Sequence, residues 1–290
     1  MKRFASVLFA LALALSATFA CAAEFDGALT LMGSSTLGPV ISQVAKMLVD
    51  EKKTWNAVDP SLPAVPIRIV VAGSGSGEGI KAVVENSANF GLISRPLSEK
   101  EKTSIDGLKA YLLGTDALTI SVNPANGVVK LRDTLSTEEL AKIFGGEYAT
   151  WNDLDAKLPK DPIVAVIRDI GGGAHKVFQD AVLKDKPVRK DAIQAPSMGA
   201  LVTKIIENKN AIGYASSGIS AQNEGKLIPI AVDGVKPTNE NINSGSYKIS
   251  RPLLVLKKGE LTAPEKAFVD ALLSPAGMKI VSDMGFVPAK

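Results

Sequence analysis

Short apolar stretches alternate with segments of helical period along most of the chain. Residues 28–32 read as a strand. After a turn at 33–36, segment 39–50 sets Val40, Ile41, Val44, Met47 and Leu48 at helical spacing. A second strand at 67–72 runs into the glycine–serine turn 73–79 and a helix from 80 to 86, and a third strand follows at 90–94. Further strands are expected at 118–122, 163–167, 211–215, 227–231 and 249–256, with helices at 137–144, 174–183, 200–207, 264–273 and 275–284. Ser136 caps the helix at 137, and Glu139 completes a capping box. The polar stretch 236–246 reads as a loop. Strands and helices in alternation, with Gly/Ser turns at the strand C-terminal ends, predict an α/β fold with mostly parallel sheets. There is no internal repeat and no low-complexity tract.

The first residues stand apart from this pattern. Lys2 and Arg3 precede an apolar run at 7–17, and Ala20-Cys21-Ala22-Ala23 supplies small residues for cleavage. This is the layout of a secretory signal peptide over 1–22. The run is well short of the ~20 residues that cross a bilayer. Cys21 opens a second route, lipid attachment at the first residue of a lipoprotein. Thr18-Phe19-Ala20 matches the Leu-small-small pattern of that processing poorly, so plain cleavage and a soluble periplasmic product are expected.

Composition narrows the chemistry. At 290 residues the chain can form one large domain or two of ~100–150 residues. With one Cys and one His, an intramolecular disulfide framework, a multi-cysteine metal site and a His-rich metal centre are excluded, and no cofactor is expected. The 33 basic and 30 acidic residues give +3, too little for general nucleic-acid or membrane-surface binding. Loss of residues 1–22 removes Lys2 and Arg3 and leaves 31 against 30, or +1.

Three times a strand ends in a Gly/Ser turn that opens a helix: 33–36, 73–79 and 171–174. Helix N-termini present unpaired N–H groups and a positive dipole end, glycine lets the backbone approach a ligand, and Ser or Thr adds a hydroxyl donor. One such turn is an ordinary cap. Three, with Arg168 three residues before its glycines, favour a small oxyanion, which an arginine can bind bidentately. The turn 73–79 does not fit G-x-G-x-x-G, and neither a P-loop nor a G-x-S-x-G motif occurs. His175, one residue into the third helix, is expected as an exposed first-turn side chain.

The motifs Gly33-Ser34-Ser35-Thr36, Gly75-Ser76-Gly77-x-Gly79-Ile80-Lys81, Phe90-Gly91-x-x-Ser94-Arg95-Pro96-Leu97 and Val122-Asn123-Pro124 recur in a known order. So do Ile143-Phe144-Gly145-Gly146 with Trp151-Asn152-Asp153, then Arg168-x-x-Gly171-x-Gly173-x-x-x-x-Phe178, then Ala211-Ile212-Gly213-Tyr214. In that order, through essentially the whole mature chain, they resemble the phosphate-binding proteins of phosphate ABC transporters. The resemblance implies a type II periplasmic-binding-protein fold: two α/β lobes, a two-strand hinge and ligand held in the cleft. It divides the chain into a first lobe at 23–117, a second at 118–250 and a return to the first at 251–290. It further implies a monomer that delivers inorganic phosphate, or a similar oxyanion, to an inner-membrane ABC permease.

Carried over residue by residue, Ser35, Thr36 and Leu37 supply hydroxyls and an amide, Ser76 and Gly77 do the same, Ser94 lies on the third loop, and Arg168 gives a bidentate contact. Gly172, Gly173 and Ala174 offer amides. Here the chain departs from the family pattern Arg-x-x-Gly-Ser-Gly-Thr, because Gly172 and Ala174 stand where hydroxyl residues are usual. Two lost hydrogen bonds to a charged ligand, at ~1.5–3 kcal/mol each, would weaken binding on the order of a hundred- to ten-thousandfold unless offset. Arg95, beside Ser94, is the compensator the sequence offers, and its rival reading is a surface ion pair on the lip. Trp151, beside Phe144 and Tyr148, reads as a core or loop anchor. Asn123-Pro124 reads as a hinge-side turn, and Ser216 and Ser217 as a plain strand end. Two alternatives remain: an exported hydrolase using Ser76 or Ser35 with His175, and an anion sensor or scaffold that transports nothing.

Overall fold

The computed structural model describes residues 25–289; the export segment and Cys21 lie outside them. Strands β1 (Ala28–Gly33), β2 (Arg68–Gly73) and β3 (Phe90–Ile93) are parallel, with β1 in the middle. Helix α1 (Gly38–Lys52) joins β1 to β2, and α2 (Ser76–Val84) joins β2 to β3. The six-residue helix α3 (Glu99–Ser104) then leads to β4 (Lys109–Val122), 14 residues long. Helix α4 (Thr137–Gly145), carrying the expected Ser136–Glu139 capping box, precedes β5 (Val164–Arg168), α5 (Gly173–Phe178) and β6 (Ile193–Ala195). Helix α6 (Met198–Glu207), β7 (Ala211–Ser216), α7 (Ser217–Gln222) and β8 (Ser250–Lys257) follow, and α8 (Ala263–Leu273), α9 (Pro275–Asp283) and β9 (Val287–Pro288) close the chain.

One sheet path, β2-β1-β3-β8-β4-β7-β5-β6, threads both halves of the molecule. β4 explains how. Its first part pairs antiparallel with β8, from Lys109↔Lys257 to Ala117↔Ser250, and its last five residues pair with β7. The chain therefore crosses between two bodies on β4 and comes back on β8, with Asp116 and Arg251 facing one another in the register. The fold is the α/β architecture the sequence pattern predicts, in the two lobes that the family resemblance implies.

Each body has its own core. On one side of the first sheet, Leu29, Leu31, Phe90, Leu92, Leu253 and Val255 meet the buried stripe of α1 (Val40, Ile41, Val44, Leu48) together with Phe268 and Leu272. On the other side, Ile93 and Leu256 meet Ile80 and Val83 of α2. Neighbouring residues of β3 and β8 thus point to opposite faces, as the two-residue period of a strand requires. The second core gathers Ile120, Val122, Phe144, Val166, Ile167, Phe178, Leu201, Ile205 and Tyr214.

The structure departs from the sequence pattern in a few places. Helix α2 begins at Ser76, four residues before the apolar period does, so Gly77 and Gly79 are helical. Gly79 earns its place by contact: a Cβ there would lie 2.7 Å from the Met32 carbonyl oxygen, so only glycine lets α2 sit this close to β1. The segment 109–117 is strand, although Gly114, Thr115 and Asp116 interrupt its apolar run. The helix expected to 183 ends at Phe178 and continues as a π-helical turn, Gln179–Leu183. The loop expected at 236–246 contains the short helix Asn239–Asn243.

Candidate functional site

In the first lobe three chain segments meet at the sheet edge. The Ser34 N–H donates to the Leu92 carbonyl at 2.7 Å, tying the loop after β1 to β3. Ser34 Oγ accepts from the Thr36 amide (3.2 Å) and donates to Ser94 Oγ (2.9 Å), while the Ser94 amide donates to Ser76 Oγ (3.1 Å). Ser34, Ser76 and Ser94 are all buried. The hydroxyls of Ser76 and Ser94 each already accept one bond and keep their own proton for a further acceptor. Ser76 is also the first residue of α2, whose leading amides have no partner inside the helix.

The second lobe contributes a fixed cation. Arg168 ends β5 and is 3% exposed. Its Nε donates to the Ala195 carbonyl (3.0 Å), and Nη2 donates to the Pro196 carbonyl (3.0 Å) and pairs with the Asp169 carboxylate. Its backbone N–H donates to Tyr214 Oη at 2.9 Å. The Tyr214 ring stacks on Phe178 with centroids 4.3 Å apart, and Phe178 in turn packs edge-on to Phe144. Packing in the second core therefore sets the position of the arginine.

The lobes meet at Ser35 and Gly173. Ser35 Oγ accepts from Arg168 Nη1 (3.1 Å) and from the Met198 amide at the start of α6 (3.3 Å). A Cβ on Gly173, the first residue of α5, would stand 2.6 Å from Ser76 Oγ and 3.3 Å from Arg95 Cδ. The N-terminal ends of α2, α5 and α6, the Ser35 and Ser76 hydroxyls and one guanidinium thus converge across the interlobe seam. A concentration of donors such as this suits an anion, through charge-assisted hydrogen bonds and helix dipoles. Among the described residues, no cluster of three His, Cys, Asp or Glu side chains could hold a metal ion.

Several expected contacts need correction. The Thr36 hydroxyl accepts a bond from the hinge side. The residue is 1% exposed, and its Oγ1 accepts from Arg251 Nη2 at 2.9 Å. The Leu37 amide is used inside the loop, donating to the Ser34 carbonyl (3.2 Å), and its side chain is in the core. The Gly172 amide closes a turn onto the Asp169 carbonyl (2.8 Å), which leaves Gly173 and Ala174 as the leading amides of α5. Gly172 itself has a reason: a Cβ there would come within 2.7 Å of Asp169 Oδ2 and 2.9 Å of its carbonyl. The carboxylate that pairs with Arg168 folds back over this position, where the family pattern has a hydroxyl residue.

Arg95 is committed elsewhere. Its Nη1 and Nη2 reach the two carboxylate oxygens of Glu101 at 2.8 and 2.6 Å, and Nη1 also donates to the Pro96 carbonyl. The Arg95 hydrogen bonds hold the Glu101 carboxyl down to about 2. Gly77 stays in the first turn of α2. His175 is not exposed: it is 3% accessible, and its Nδ1 lies 3.1 Å from Tyr214 Oη. Burial lowers its pKa, with Asp169 and Gln179 opposing, which favours the neutral ring. The Ser35 and Ser76 hydroxyls bond to Arg168, Met198 and Ser94 and not to this histidine.

Two features escaped the sequence. The N-terminus of α6, capped by Ser197 accepting from the Ala200 amide (3.1 Å), joins the site, and the run Ser197-Met198-Gly199 could have signalled it. Asp116 and Arg251 form an ion pair at 2.7 Å with both side chains fully buried where the hinge strands pair. Ser216 and Ser217, more than a strand end, donate to its carboxylate: Ser216 Oγ at 3.0 Å and the Ser217 amide and hydroxyl at 2.9 Å.

A two-lobed α/β body with a donor-lined interlobe seam defines a class of ligand-capturing proteins. Residues 22–275 match the family model of the PBP superfamily domain, and the chain belongs to that family. It is similar to the phosphate-binding protein PstS of Staphylococcus saprophyticus, 28% identical over 267 residues covering 88% of this chain and 78% of that one. The PstS of Staphylococcus aureus (strain USA300) is 26% identical over 269 residues, covering 89% and 77%. A crystal structure from Clostridium perfringens, described as a phosphate ABC transporter substrate-binding protein with bound phosphate, superposes with a TM-score of 0.78 at 29% identity, over 91% of this chain and all of that one. An ABC-type phosphate transport receptor from Vibrio cholerae shares the fold, with a TM-score of 0.68 at 24% identity over 90% of this chain and 100% of that one.

Proposed function

We propose that this protein is exported, captures inorganic phosphate between its lobes and hands it to an ABC permease, binding its ligand without turning it over. The observation that carries this is the Arg168–Ser35–Met198 meeting across the seam, where a guanidinium and a helix N-terminus both donate to one hydroxyl of the opposite lobe. An anion at that place would accept from both lobes at once and would hold them together. The ligand-binding set is Ser35, Ser76, Gly77, Ser94, Arg168, Gly173 and Ala174, with Thr36, Leu37 and Gly172 shaping the loops that present them. The buried, Tyr214-bound His175 supports binding over a serine–histidine hydrolase. The signal-peptide pattern at 1–22 supports release as a soluble periplasmic protein.

Calorimetric titration of the mature protein with phosphate, arsenate, sulfate and small phosphate esters tests the ligand. Heat with phosphate at micromolar protein is the expected result, and none at millimolar phosphate overturns the assignment. Mass spectrometry of the protein from a periplasmic extract tests the export reading, which predicts a chain starting at residue 23 with no lipid.

A further inference from the structure

We propose that Arg251, locked to Asp116, is a positioning residue that ties the anion loop 34–37 to the hinge, so that anion capture and lobe closure are one event. The inference rests on the anion-site reading above and goes beyond it, since neither residue lies on a ligand-facing turn.

The geometry is specific. Arg251 and Asp116 are register partners on β8 and β4, the two strands by which the chain crosses between lobes. Arg251 Nε donates to Asp116 Oδ2 at 2.9 Å with Nη2 2.7 Å from the same oxygen, and Nη2 donates to Thr36 Oγ1 at 2.9 Å. Thr36 adjoins Ser35, whose hydroxyl meets Arg168 of the other lobe. Asp116 Oδ1 accepts from Ser216 and Ser217, where β7 passes into α7 in the second lobe. A continuous polar chain therefore runs from the anion loop of the first lobe, through both hinge strands, to the second lobe.

This pair is an expensive way to join two strands. Both side chains have no exposure, and Arg251 Nη1 has no partner among the described residues. A buried ion pair is weak evidence of stability, because apolar residues of similar size often serve as well or better. A buried cation that leaves one donor unmatched is weaker still as a stabilising device. What the pair does provide is direction. The planar guanidinium holds Asp116 and Thr36 at once, which a flexible ammonium does not do in the same geometry. Any rotation of β4 against β8 during closure moves Thr36, and with it the Ser35 hydroxyl and the first turn of α1.

Three variants test the proposal against phosphate, with affinity read by calorimetry, phosphate-induced compaction by small-angle X-ray scattering, and melting temperature as control. Thr36→Val removes the acceptor of Arg251 in nearly the same volume. Arg251→Lys keeps the charge for Asp116. The double variant Asp116→Asn/Arg251→Met removes both buried charges and leaves an amide oxygen for Ser216 and Ser217. The expectation is a melting temperature close to wild type for Thr36→Val and for the double variant, with affinity reduced roughly tenfold or more, as for loss of a hydrogen bond in a charged network. Compaction on adding phosphate should be reduced in both. Arg251→Lys should recover stability better than affinity, which a purely structural role would not produce. Folded variants that bind and compact like wild type overturn the proposal. If the double variant does not fold, Thr36→Val and Arg251→Lys decide alone. A wild-type protein that binds no phosphate removes the anion-site reading and this inference together, whereas wild-type binding with unaffected variants removes this inference only.

Discussion

The loop after β3 and the end of β5 each bring an arginine to the seam, and each side chain is almost wholly buried. Arg95 faces a carboxylate: Glu101, in the first turn of α3, takes two of its nitrogens in parallel bonds, so its charge is neutralised within its own lobe. Arg168 spends Nε on one backbone carbonyl and part of Nη2 on another, meets the half-exposed Asp169 through the rest of Nη2, and points Nη1 across the seam to Ser35. The difference teaches that proximity to the cleft and burial do not decide which cation serves a ligand. The partner does. A carboxylate that can grip in a bidentate fork uses up the arginine, whereas carbonyls orient it and leave its charge to act on what comes next.

That contrast can be broken most directly at Arg168. Arg168→Met should weaken phosphate binding by on the order of a hundredfold or more, from the loss of the buried charge and of the bonds that Nη1 donates across the seam, as read by calorimetry. An unchanged affinity would put the ligand elsewhere. Gly173→Ala comes next. Its methyl would lie 2.6 Å from Ser76 Oγ, so closure should be impeded and affinity should fall about tenfold to a hundredfold, on the order of 1.4–3 kcal/mol. Because Gly173 touches the seam, the melting temperature without ligand should change far less than the affinity.

Tyr214→Phe probes the support behind Arg168. It leaves the Arg168 backbone N–H without its acceptor and the His175 ring without its partner, which should cost about 1–3 kcal/mol in chemical denaturation, with a smaller loss of affinity. Arg95→Met is expected to change phosphate affinity by less than about threefold, since a charge already paired within its lobe contributes little outside it. A hundredfold loss there would reverse the comparison. The smallest effect is one of pH. The folded Glu101 carboxyl lies near 2, below its ordinary 4.5, so the stability it contributes is present above that ordinary value and is lost as pH falls towards 2. Glu101→Gln should lower the melting temperature near neutrality, where the pairing is fully present, and flatten its fall with pH in that window.

Much of the molecule could be read from residue order. The apolar stripe of α1, the capping box at Ser136 and the strand–turn–helix units at β1, β2 and β5 are local signals, and each appears in the fold. Arg168, Ser35 and Ser76 could be nominated because a hydroxyl or guanidinium beside a glycine turn has few other uses. Reading failed where side chains had a choice of partner. Thr36 and Ser35 are adjacent hydroxyls in one turn, yet one turns inward to Arg251 and the other outward to Arg168. His175 reads as a surface residue of a first turn until Tyr214, 39 residues further along the chain, is brought over it. Asp116 and Arg251 stand 135 residues apart, and no local pattern announces a pair formed only when β8 returns beside β4.

The sequence by itself therefore determined the class of fold, the three glycine turns, two of them with hydroxyls, and the kind of ligand they suit, because periodicity, caps and turn chemistry act over a few residues. Tertiary structure alone decided which donors remain for a ligand. It spent Arg95 on Glu101, the Leu37 and Gly172 amides on their own turns and Thr36 on the hinge, and it added the N-terminus of α6. The physical reason is that a hydrogen-bonding group is satisfied by whatever the fold places within about 3 Å, and that choice is made between segments distant in sequence.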